Sequence, residues 1–64
     1  MLTMKKDIII VDDEKDIREL ISGILSDDGF ETRLAKDMDS LKIQLIKRLP
    51  SLILLDVWLD QSNA

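Results

Sequence analysis

The feature that most constrains this chain is the run Ile8-Ile9-Ile10-Val11, four β-branched residues that stop abruptly at Asp12-Asp13-Glu14. It shows no polar alternation, the pattern of a strand covered on both faces, as in a parallel sheet. A helical period follows. Ile17, Leu20, Ile21, Ile24 and Leu25 recur at the spacing of one apolar stripe. Asp13 or Glu14 stands near the start of that helix, where a negative side chain complements the helix dipole. Gly29 follows Asp27-Asp28 and fits the left-handed position just past a helix end. Gly23 lies inside the helix at a cost of about 1 kcal/mol relative to alanine, and nothing in the sequence explains it.

The second half repeats the alternation. From Phe30 to Ala35, Phe30, Thr32 and Leu34 fall on one side and Glu31 and Arg33 on the other, which predicts an edge strand with one wetter face. Asp37 or Asp39 caps a second helix whose stripe is Leu41, Leu45, Ile46 and Leu49; Ile43 lies off it and is expected to be exposed. Pro50 ends the helix, because the residue before a proline is pushed out of helical geometry. Leu52-Ile53-Leu54-Leu55 predicts a third apolar strand, ending at Asp56. Residues 57–64 carry no assignable period.

The order is strand, helix, strand, helix, strand, so right-handed crossovers place the strands in one parallel sheet. Sites in such sheets form beyond the carboxyl ends of the strands. Asp12 and Asp13 end the first strand and Asp56 ends the third. If these strands are neighbours, three carboxylates converge.

Composition narrows the chemistry. Sixty-four residues allow one small domain, which buries only about 60% of its unfolded surface. The chain has no cysteine and no histidine, so a bound metal must be held by oxygen, as magnesium is. A net charge of −4 argues against direct binding to nucleic acid. The N-terminus lacks the apolar core of a signal peptide, and the longest apolar runs are four residues, far from the roughly 20 that span a bilayer. A cytoplasmic protein with no membrane contact is expected.

Three crowded carboxylates repel one another unless a counter-charge is present. Magnesium supplies one, binding through one or two carboxylates plus phosphate. It also neutralises charge on a phosphoryl group under in-line attack. Asp56 is then the expected nucleophile, giving an acyl phosphate.

The stretch from Asp7 to Glu14, followed by Leu52 to Asp56, resembles the receiver domain of bacterial two-component response regulators. The runs Val11 to Leu20, Gly29 to Thr32 and Pro50 to Leu59 look closest to the NtrX-type regulators, a subclass linked to nitrogen-response signalling. The likeness spans Lys6 to about Leu59. It implies a flavodoxin-like α/β fold with a three-stranded parallel sheet of order 2-1-3 and two helices. It also implies that Asp56 accepts phosphate from a sensor histidine kinase. Asp13 would bind Mg2+ directly, Asp12 mainly through water, Asp56 itself, and Trp58 through its backbone carbonyl. Receivers continue through two more βα units to about 120 residues, so residues 1–64 are expected to be a partial, truncated receiver domain. The Ser/Thr that reads the phosphoryl group and the lysine that pairs with it would come after Ala64. Lys36, Lys42 and Lys47 belong to the second strand-to-helix region and do not supply it. The chain is expected not to be an enzyme, since it accepts one phosphoryl group without turnover.

Plainer explanations stand beside these. Acids at a strand-to-helix turn are commonly caps and solvated charges, Trp58 is ordinarily a packing residue, and Lys47-Arg48 complements the end of the second helix. A calcium loop starting at Asp12 would need glycine where Ile17 stands and glutamate where Gly23 stands. A haloacid-dehalogenase-type phosphatase would need an acid at Trp58. The alternative functional reading is an interaction fragment that docks on a kinase as a decoy or forms a homodimer through the exposed third strand, or a relic of a truncated gene.

Overall fold

The β-branched run is the middle strand of the sheet. The computed structural model describes residues 6–55, in the order β1 (Asp7–Val11), α1 (Lys15–Asp27), β2 (Glu31–Ala35), α2 (Met38–Lys47) and β3 (Leu52–Leu55). The strands form one sheet of order β2-β1-β3, both pairs parallel. This is the expected flavodoxin-like βαβαβ arrangement of order 2-1-3. All five residues of β1 are buried, because strands flank it and the helices cover its two faces.

Ile9, Val11, Ala35 and Leu41 make the buried cluster, with Leu45 packed against it, so α2 covers that face. Ile8 faces the other way and shares a cavity of about 750 Å³ with Leu25 of α1 and with Phe30, Leu52 and Leu54. Ser22 and Thr32 join their hydroxyls at 2.6 Å, tying α1 to β2. Among the described residues no helix is long and apolar enough to cross a membrane.

Local signals account for the helix ends. Gly29 has φ +93, its N–H donates to the carbonyl of Ser26, and the N–H of Phe30 donates to that of Leu25. This pair of bonds closes a left-handed helix end that satisfies two otherwise orphaned carbonyls. Asp37 caps α2, its Oδ1 accepting from the Ser40 N–H at 2.8 Å. The space beyond Gly23 is open, so the structure does not explain that glycine either.

Three expectations need correction. Leu20 and Ile24 of the α1 stripe are 60% and 55% exposed; Ile17, Ile21 and Leu25 are the half-buried ones. Helix α2 stops at Lys47, and Arg48 is already extended. Leu49 therefore lies beyond the helix, and both it and Ile46 are exposed while Ile43 is exposed as expected. Finally, the side of β2 that reads as wetter is the one α2 covers. Ala35 there is buried and Arg33 half-buried, because Arg33 finds acceptors for its guanidinium under the helix.

Candidate functional site

At the carboxyl end of β1 the chain makes a tight acidic turn. The backbone N–H of Asp12 donates to the Ala35 carbonyl at 3.1 Å, extending the ladder with β2 by one residue and drawing Asp12 down to 6% exposure. Its Oδ1 accepts the Glu14 N–H at 2.9 Å, an Asx-type turn that bends the strand into α1. Its carbonyl accepts Arg18 Nη1 at 2.7 Å. Asp13 and Glu14 are exposed. Glu14 precedes α1 in extended geometry, and its side chain makes no capping bond.

One carboxylate oxygen from each of Asp12, Asp13 and Glu14 lies within 4.8 Å of the others. Asp12 and Asp13 are therefore brought together as expected, and Glu14 joins them. Its place next to the pair was the available signal. All the ligand atoms are hard oxygens, and the whole chain offers no thiolate or imidazole to compete, so the donor set fits Mg2+. Asp56 and Trp58 lie outside the described residues. The last described residue of β3, Leu55, is the register partner of Val11. A cavity of about 220 Å³ lies between these strand ends, bounded by Ile10, Val11, Asp12, Ile21, Leu54 and Leu55.

The amino end of the sheet holds a second charged group, which sequence reasoning missed. Arg33 donates from Nε and Nη2 to the two carboxylate oxygens of Asp7 at 3.1 and 2.7 Å. Arg48 adds Nε to Asp7 Oδ2 at 2.9 Å and Nη2 to Glu31 Oε1 at 3.0 Å. Arg33 also donates to the backbone carbonyls of Gln44 and Arg48. It thus supplies from β2 the positive charge that the end of α2 favours, while Arg48 turns away to the acids. The hydrogen bond from Arg33, then the bond from Arg48, hold the Asp7 carboxyl below its ordinary value against the upward push of burial. These partners are 26 and 41 positions apart, beyond the reach of any local pattern.

Comparison with known proteins places this geometry. The sequence model of the response regulator receiver domain matches residues 8–63. The chain belongs to the receiver-domain family. It is 49% identical over 60 residues to the nitrogen assimilation regulatory protein NtrX of Azorhizobium caulinodans, covering 94% of this chain and 13% of that protein. Its identity to the phosphate regulon transcriptional regulatory protein PhoB of Escherichia coli is 43% over 56 residues, covering 88% of this chain and 24% of PhoB. The crystal structure of NtrX from Brucella abortus in complex with ADP superposes with a TM-score of 0.84 at 54% identity, covering 89% of this chain and 13% of that one. This receiver sequence is thus NtrX-like, and it spans about 13% of the length of the NtrX relatives it matches.

Proposed function

We propose that residues 1–64 are a receiver segment of a two-component phosphorelay in which Asp56 accepts a phosphoryl group from a sensor histidine kinase. The observation that carries this reading is the parallel pairing of β1 with β3, Val11 opposite Leu55. Val11 and Leu55 end neighbouring strands at the same edge of the sheet, and in the sequence each is followed directly by an aspartate, Asp12 and Asp56. Sites in open α/β sheets form at that edge.

The ion in this reading is Mg2+, bound by Asp13, by Asp12 mainly through water, by Asp56 and by the backbone carbonyl of Trp58. When bound, the dication neutralises charge on the phosphoryl oxygens. An Asp56 carboxylate oxygen attacks phosphorus in line, and the bond from phosphorus to the kinase imidazole nitrogen breaks as the new O–P bond forms. The imidazole keeps the electron pair, and the product on this chain is an acyl phosphate. One group is accepted and no substrate is turned over, so the chain acts as a signalling element rather than an enzyme. The setting is cytoplasmic, and the net charge of −4 favours a protein partner over nucleic acid.

One observation favours a second, interaction-based reading. Among the described residues β3 is an outer strand, and Leu52, Ile53 and Leu55 are exposed along it. An uncharged apolar edge of this kind is a template for pairing, and a second copy of the chain is its simplest occupant. Sedimentation at increasing concentration tests this: a shift toward dimer supports it, and a monomeric mass throughout ends it.

The phosphorelay reading is tested by incubation with Mg2+ and acetyl phosphate or beryllofluoride. Intact mass should gain one phosphoryl group with acetyl phosphate, and the fluorescence of Trp58 should change with either reagent. Both responses should vanish in Asp56→Asn. A wild-type chain that shows neither response would overturn the reading.

A further inference from the structure

Among the described residues, the side chains of β3 contribute little to holding it in place. Among the described residues its only neighbouring element is β1, and three of its four residues are exposed. Few buried contacts place a segment at the low-stability end of a fold. Nor does the ladder alone define where β3 sits. A slip of two residues keeps every side chain on its own face, yet moves the strand end by about 7 Å.

The start of β3 is instead pinned to Asp7. The Asp7 carbonyl accepts the Ser51 N–H at 2.7 Å. The Asp7 carboxylate accepts Arg48 Nε at 2.9 Å, and Arg33, gripped by the same carboxylate, donates to the Arg48 carbonyl at 2.9 Å. Both ends of the short crossover from Arg48 to Ser51 are therefore fastened to the first residue of β1. Among the described residues, the charged groups around Asp7 are Arg33 and Glu31 from β2 and Arg48 from the crossover, with Lys6 preceding it in the chain.

We propose that Asp7 is a positioning residue, whose clasp with Arg33 and Arg48 at the amino end of the sheet fixes the register of β3 and so holds Leu55, the residue before Asp56 in the sequence, opposite Val11. This rests on Asp56 being the acceptor. The clasp lies at the opposite end of β1 from the acidic turn, and it acts through the strand, without touching ion or phosphoryl group.

Amide hydrogen exchange measured by NMR, combined with Mg2+ titration of Trp58 fluorescence, tests it. In Asp7→Asn the amides of residues 52–55 should exchange faster relative to those of α1, by on the order of tenfold, the scale set by losing one hydrogen bond to a charged group. The Mg2+ concentration at half-response should rise with it. Leu41→Ala, which weakens the core on the α2 face, serves as a control of general destabilisation and should change neither the exchange ratio nor the Mg2+ concentration at half-response. If Asp7→Asn does not fold, Arg48→Gln is expected to loosen residues 52–55 in the same selective way. Exchange in β3 that changes only in step with α1, or an equal selective effect from Leu41→Ala, would overturn the proposal. A wild-type chain without a Mg2+ response would sink the acceptor reading, while the exchange ratio would still decide whether Asp7 sets β3.

Discussion

Aspartates stand at both ends of β1, and they are almost equally hidden, Asp7 at 8% exposure and Asp12 at 6%. Their surroundings differ in kind. Asp7 faces two guanidinium groups, so its charge is matched by fixed protein charge. The Asp12 carboxylate accepts only a backbone N–H among the described residues, the neighbouring guanidinium of Arg18 goes to its carbonyl, and two more acids stand beside it. A matched carboxylate holds structure. A carboxylate gathered with others and left unmatched stores an electrostatic demand that a soluble cation can meet.

This contrast predicts opposite responses at the two ends, and the largest belongs to the matched one. Asp7→Asn removes the negative charge between two arginines, one of them half in solvent and still paired with Glu31. It should lower unfolding stability by about 2 kcal/mol, less than a fully buried pair would lose, read as a shift of the urea midpoint. Acid should act on the same end. The folded Asp7 carboxyl titrates below its ordinary value of 3.8, so its contribution is complete above that value and fades as pH falls through the lower folded one. Asp37, held down by the Ser40 N–H, contributes with the same sign. An acid titration of stability should show a loss below the ordinary carboxylate range that is reduced, not abolished, in Asp7→Asn. The smallest effect is expected at the acidic turn. Asp13→Asn removes an exposed like charge and should change stability by no more than about 0.5 kcal/mol without metal. Mg2+ should raise the melting temperature of the wild type, and Asp13→Asn should abolish that rise. A large loss without metal would show that Asp13 is structural after all.

What the sequence revealed divides along the same line. The strand runs, the left-handed Gly29 and the Asp37 cap are set by residues close in the chain, and each was legible. The proximity of Asp12 and Asp13 was legible too, because the turn that gathers them is local. The clasp was not, since Asp7 meets Arg33 and Arg48 only after the sheet and α2 have formed. Arg33 misled directly: a charged residue in an alternating strand reads as solvent-facing, and only its partners make the covered side habitable for it. The α1 stripe misled more mildly. Periodicity tells which side of a helix is apolar, but the covering element decides how much of that side is buried, and here Leu20 and Ile24 remain in solvent.

The central claim is that the ends of β1 and β3 share one dication. Substoichiometric Mn2+, a paramagnetic stand-in for Mg2+, tests it residue by residue through NMR line broadening. The amides of Asp12, Asp13 and Asp56 should lose intensity together, while those of Asp7 and its register partner Glu31 at the far end of the sheet stay sharp. Broadening at Asp12 and Asp13 that leaves Asp56 untouched would contradict the account.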